Sequence, residues 1–70
     1  YAIYPNPFSD EIFVQHLTGN EHFILHDGMG RTVMKGRCSG AVHMPETIPG
    51  IYYLTILNNT HQTTFKVFKR

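Results

Sequence analysis

The last twenty residues, Ile51 to Arg70, are the longest stretch of the chain free of glycine and proline. Eleven of them are β-branched or aromatic. A helix fits by length, but such side chains lose rotamer freedom against a helical turn and pack well on a pleated surface. The period agrees with strands: Tyr52, Leu54 and Ile56 share one face, while Phe65 and Val67 alternate with Thr64, Lys66 and Phe68. Asn58-Asn59 breaks the run in the middle. The stretch reads as a hairpin of two long strands. With only two alanines in the chain, Ala2 and Ala41, there is little helical material elsewhere.

The remainder supports the same reading. Tyr1 to Tyr4 is a short apolar run suited to an edge strand, because Pro5 follows it. Pro5 and Pro7 each fix φ and remove a donor, and they bias Tyr4 and Asn6 towards extended geometry. Tyr4-Pro5-Asn6-Pro7 is thus expected to enter the domain as a stiff arm, with Asn6 and Asp10 as turn formers that bond nearby backbone. Glu11 to Leu17 alternates, with Ile12 and Val14 on one face, and ends at Thr18-Gly19-Asn20. Glu21 to His26 is the next strand, with Phe23 and Leu25 on one face and His22, Ile24 and His26 on the other. Asp27-Gly28-Met29-Gly30-Arg31 is a glycine-containing turn, and Thr32 to Arg37 returns from it with Val33 inward. Cys38-Ser39-Gly40 turns the chain again before a short strand, Ala41 to Met44. Pro45 to Gly50 is a loop, and Pro49-Gly50 fits the centre of a type II turn.

Roughly seven strands, with turn signals every eight to ten residues or so, predict an all-β fold: a small immunoglobulin-like antiparallel β-sandwich in one domain, residues 1–70. The final strand must then pair internally or expose an edge on which a second copy could associate. A single cysteine, Cys38, excludes an intrachain disulfide, so the core has to come from aliphatic and aromatic packing. The net charge is +1 and the only basic cluster is Lys66, Lys69 and Arg70, which does not make a nucleic-acid surface. No run is long enough to span a bilayer and no signal peptide is present, and a start at Tyr1 rather than Met suggests a piece of a longer protein.

Chemistry is sparse. His22 and His26 share a strand face but lie about 13 Å apart at strand rise, too far to chelate one ion. His16, His43 and His61 fall on other elements. Cys38 and His43 have nothing around them to orient an imidazole or bind an oxyanion. Asp10, Glu11, Glu21, Asp27 and Glu46 are scattered over turns and strand ends, whereas acid–base pairs need converging carboxylates. Tyr1, Tyr4, Phe13, Tyr52, Tyr53 and Phe68 offer an aromatic face, with about half of them expected in the core. Asn58-Asn59-Thr60 matches a glycosylation sequon and reads more simply as a turn. No catalytic residue, metal or cofactor is implied.

Four segments in order resemble one family. Tyr4-Pro5-Asn6-Pro7-Phe8-Ser9-Asp10 resembles the opening motif of the C-terminal sorting domains, type A, of the type IX (Por) secretion system of Bacteroidota. Asp27-Gly28-Met29-Gly30-Arg31-Thr32-Val33 is similar to that family's turn and strand. Ile48-Pro49-Gly50-Ile51-Tyr52-Tyr53-Leu54 is similar to its segment before the last hairpin. Phe65-Lys66-Val67-Phe68-Lys69-Arg70 is similar to its closing strand. The chain departs from the pattern in a loop one residue short before Gly50 and in Phe68, where a smaller aliphatic is usual.

The resemblance implies a delivery signal rather than an enzyme. It implies passage through the periplasm, recognition by an outer-membrane translocon, and removal by a sortase-like protease. An N-terminal cargo would then be released or anchored at the cell surface. It implies that Tyr4, Pro5, Asn6, Pro7, Asp10, Asp27, Gly30, Arg31, Gly50 and Tyr52 carry the family motifs. Lys66, Val67, Lys69 and Arg70 are the candidates for translocon recognition. The rival reading is an accessory sandwich that binds carbohydrate or a neighbouring catalytic domain.

Overall fold

A computed structural model describes residues 1–44 and 48–70; the expected loop at Pro45 to Thr47 lies outside the described residues. Among the described residues seven strands follow the chain: β1 (Ala2–Tyr4), β2 (Glu11–Gln15), β3 (His22–Asp27), β4 (Thr32–Arg37), β5 (Ala41–His43), β6 (Gly50–Leu57) and β7 (Gln62–Lys69). They form a three-stranded sheet in the order β1-β2-β5 and a four-stranded sheet in the order β4-β3-β6-β7, every named pair antiparallel. In immunoglobulin notation, β1, β2 and β5 stand as A, B and E. Likewise β3, β6 and β7 stand as C, F and G, and β4 lies beside β3 where a C′ strand goes. The expected immunoglobulin-like sandwich is the fold observed.

The alternation read from sequence sets the core. Ile12 and Val14 of β2, Phe23 and Leu25 of β3, Tyr52, Leu54 and Ile56 of β6 and Val67 of β7 are all buried. Two differences have local causes. The β2 strand stops at Gln15 rather than Leu17 because His16 takes a positive φ of 67°, which no strand continues. In β4, the register with β3 shifts between Leu25 and His26, a bulge that lets adjacent residues Val33 and Met34 both pack on the core, where simple alternation admits only Val33.

Tyr52 supplies a second immunoglobulin-like feature. Its ring is buried near the start of β6, and its hydroxyl donates to the Ile48 carbonyl at 2.6 Å. A tyrosine on the F strand that bonds back to the backbone a few residues upstream is the tyrosine corner of this fold. Pro49-Gly50 is not the expected type II turn. Gly50 is the first residue of β6, at φ +148° rather than near +80°.

Candidate functional site

The opening motif does not enter the domain as a free arm. It runs between β1 and β2 and reaches across to β7, the outermost strand of the other sheet. The Asn6 amide Nδ2 donates to the Lys66 carbonyl at 3.2 Å, and its Oδ1 accepts from the Phe68 amide at 2.9 Å. Phe8 continues the contact: its amide donates to the Phe68 carbonyl at 2.9 Å and its carbonyl accepts from the Arg70 amide at 2.8 Å. Phe8 and Lys69 thereby form a short parallel bridge, and the Phe8 ring is sealed in the core. Asn6 was expected to bond nearby backbone; it bonds backbone some sixty residues away. One planar amide matches one donor and one acceptor of a strand edge, as a neighbouring strand would. Of the two alternatives for the last strand, an internal partner or an open edge, the outer edge of β7 has an internal partner from Lys66 to Arg70. The peptide bonds before Pro5 and Pro7 are cis. Tyr4, half-exposed, lies against Phe13 across the β1–β2 pair with ring centroids 5.3 Å apart.

The second motif builds the β3–β4 turn. Asp27 Oδ1 accepts from the amides of Met29 and Arg31, each at 2.9 Å, and Oδ2 accepts from Arg31 Nε at 2.9 Å. The Arg31 amide acts first. With the Arg31 guanidinium and the Met29 amide, it outweighs desolvation and holds the Asp27 carboxyl below its usual range. Gly30 has φ +85°, which an L side chain rarely adopts, although a Cβ there would meet nothing within 4 Å; backbone conformation alone calls for glycine. The third motif lies against this turn. A surface hollow lined by Asp27, Arg31, Val33, Ile48 and Tyr52 joins the two, and the exposed side chains of Met29 and Ile48 stand at its margin.

The register brings all four motifs to one end of the sandwich. Asp27 pairs with Tyr52, Tyr52 with Val67, Gly50 with Lys69, and Phe8 bridges Lys69. Of the recognition candidates, Val67 is wholly buried, where nothing outside the folded domain touches it. Lys66 is exposed, its Nζ 5.8 Å from the centre of the Phe68 ring. Lys69 Nζ donates to the Arg70 carbonyl at 3.3 Å. Asp10 is exposed beside β2, and its carbonyl accepts from the Met44 amide. The arrangement offers shape, cations and a closed strand edge. Its one described ion pair, Arg31 with Asp27, serves the turn.

Sequence reasoning missed Glu21. It was read as one of several scattered carboxylates, yet its residue surface is fully covered. It sits at the far end of the sandwich from the four motifs. Its carboxylate accepts from the Thr18 amide and hydroxyl, the Gly19 amide and the Tyr1 hydroxyl, at 2.8 to 3.1 Å. The Tyr1 hydroxyl in turn accepts from Asn58 Nδ2 at 2.7 Å. Burial alone would raise the Glu21 pKa; the donated hydrogen bonds, led by the Thr18 hydroxyl, outweigh it and hold it at about 2. The available signal was Thr18-x-x-Glu21 beside a glycine, a spacing at which a carboxylate reaches back to free amides.

The other residues weighed in the sequence are dispersed. His22 and His26 lie on the outer face of β3, His43 on β5, and His16 and His61 in turns. Cys38 is buried, and desolvation pushes its thiol pKa up, so it is not an accessible nucleophile in the folded state. Asn58 organises the β6–β7 turn, its Oδ1 accepting from the Thr60 and His61 amides. The aromatic residues do not share one face. Tyr4 and Phe13 lie on the outside of the three-stranded sheet, Tyr53 and Phe68 on the outside of the other, and Tyr52 is core.

The fold and site thus define a small immunoglobulin-like module whose distinctive residues serve assembly and surface presentation. Over residues 2–70 the chain matches the family described as the secretion system C-terminal sorting domain, and it belongs to that family. Such a domain is a C-terminal sorting signal for type IX secretion. No curated protein and no solved structure matches the chain.

Proposed function

We propose that this chain serves as the sorting signal of a cargo protein, of the type A kind found in Bacteroidota. The domain itself performs no catalysis. In this reading the cargo is fused upstream of Tyr1 and crosses the periplasm. An outer-membrane translocon then takes it up by its folded C-terminal domain, and a sortase-like protease removes that domain before the cargo is released or held at the cell surface. What supports this most directly is the convergence of the four family motifs at one end, around the last strand. Of the recognition candidates, Lys66 and Arg70 are exposed and Lys69 is partly so, which leaves all three available to a partner. Tyr4, Pro5, Asn6, Pro7, Asp10, Asp27, Gly30, Arg31, Gly50 and Tyr52 build and present the end.

The test is export of a reporter carrying the chain at its C-terminus. Deleting Phe65 to Arg70 is expected to abolish export, but it also removes a core strand. The informative variant is therefore Lys69→Ala with Arg70→Ala, which leaves Val67 and Phe8 in place. Loss of export with an unchanged melting temperature supports recognition at this strand. Undiminished export by the folded double variant, or by the truncated domain, would exclude it.

A further inference from the structure

The net charge of +1 conceals a division between the two sheets. All six basic residues belong to the four-stranded sheet and its ends: Arg31, Lys35, Arg37, Lys66, Lys69 and Arg70. The three-stranded sheet and its connections in the first half of the chain carry none, and hold Asp10 and Glu11. Of the other described side-chain carboxylates, Asp27 offsets Arg31, with which it is paired, and Glu21 is held among its donors on the core side, so Lys35, Arg37 and Lys66 meet no carboxylate on the outer face.

The outer face of the four-stranded sheet has a definite layout. Lys35 and Arg37 project along its β4 edge and Lys66 along its β7 side, all three exposed. Between them lie Ile24, Tyr53 and Leu57, and at one end the cross-strand pair Ile51 and Phe68. None of the described positions with this outward parity is acidic. At the β3–β4 side the surface sinks into an apolar hollow formed by His22, Phe23, Ile24, Lys35, Gly36 and Leu57. Gly36 lines the hollow with backbone alone; a Cβ there would sit on the core side, 3.4 Å from the Phe23 ring.

We infer that this face is a docking surface for an acidic protein segment, one large apolar side chain of which fills the hollow beside Ile24 and Leu57 while flanking carboxylates meet Lys35, Arg37 and Lys66. An apolar centre within a charged rim is the anatomy of a protein interface, and a buried apolar anchor ringed by polar contacts is its energetic centre. Long-range attraction from the basic rim speeds encounter with an acidic partner and disfavours a basic one. A bilayer takes up protruding apolar groups, and those that protrude on this face, Ile51 and Phe68, lie at the opposite end of β6 from the recessed Ile24 and Leu57 that form the hollow. Two copies meeting through this face would set lysine and arginine against themselves. The inference does not depend on the sorting reading, and its test involves no export.

The test is a titration of the isotope-labelled 70-residue chain, followed by amide NMR shifts. The probe is a short synthetic peptide with a central phenylalanine between paired aspartates. Shifts confined to Ile24, Lys35, Leu57 and Lys66 are expected, with affinity falling as salt rises. Lys35→Glu with Lys66→Glu, both exposed positions, is expected to weaken binding about tenfold through two surface ion pairs. Leu57→Ala is expected to weaken it with the salt dependence unchanged. Four results would overturn the inference: equal binding of the peptide with asparagines for aspartates, shifts centred on Tyr4 and Phe13, displacement of the peptide by phosphatidylglycerol vesicles, or self-association in sedimentation that the Lys35→Glu change abolishes. Absence of binding by the acidic peptide would overturn it as well.

Discussion

Asn6 shows how one side chain does the work of a strand. Its amide presents a donor to Lys66 and an acceptor to Phe68, so it closes a strand edge without adding a residue to the sheet. Replacing Asn6 by alanine is expected to cost about 1–2 kcal/mol, for two hydrogen bonds near the surface. Asn6→Asp keeps the acceptor for the Phe68 amide but sets a carboxylate oxygen against the Lys66 carbonyl, so chemical denaturation should show it less stable than wild type. Unchanged stability with blocked export would instead make Asn6 a contact residue. Glu21 is the second such residue. Its folded pKa of about 2 lies below the ordinary 4.5, so the unfolded chain takes up the proton first. The stability it contributes is full above the ordinary value and drains away as pH falls towards 2. Wild type should lose melting temperature across that window. Glu21→Gln should start lower at neutral pH and decline less steeply, with the remaining slope coming from carboxylates such as Asp27, also held low.

At the scale of elements, β6 holds the fold together. It lies between β3 and β7, contributes Tyr52, Leu54 and Ile56 to the core, and begins at the tyrosine corner. A domain of this size has a total stability of roughly 4–10 kcal/mol. Leu54→Ala, which empties a fully buried position, is expected to remove about 2–5 kcal/mol of it. Tyr52→Phe keeps the ring and deletes only the bond to Ile48, for about 1 kcal/mol. A denaturant series comparing the two separates packing in β6 from the corner that starts it; equal losses would contradict this division. The opening segment belongs at this scale too. By tying the β1–β2 connection to the outer edge of β7, it joins the two sheets along one side.

For the whole molecule, the Cα radius of gyration of 11.1 Å matches the roughly 11 Å of a compact chain of this length. Cys38 reports on that body because it is buried between its layers. It is expected to react with a thiol reagent only as fast as the fold opens, and at full rate in denaturant. Rapid reaction of the native chain would show that the Cys38–Gly40 corner opens by itself. Charge is also a property at this scale. The two sheets of a nearly neutral domain differ in sign, and that division decides which side attracts an acidic partner.

The strands and the sets of residues that share a face were legible along the chain, because alternation and turn residues act over a few positions and need no knowledge of what lies opposite. Ile12, Val14, Phe23, Leu25, Tyr52, Leu54, Ile56 and Val67 were legible in that way, as was the Asp27 turn with Gly30. The four ordered motifs made the family legible as well. Where those motifs meet follows from the fold, because strand order and register join residues far apart in the chain. That is why Asn6, read as a local turn former, proves to close the edge of β7, and why Phe8 goes to the core. It is also why Glu21 is a buried, hydrogen-bonded carboxylate: its partner Tyr1 is brought to it by folding, and a lone acidic residue in sequence carries no mark of the donors that will surround it. The bulge that turns both Val33 and Met34 inward, and the separation of charge between the sheets, have the same origin: each depends on which strand became whose neighbour.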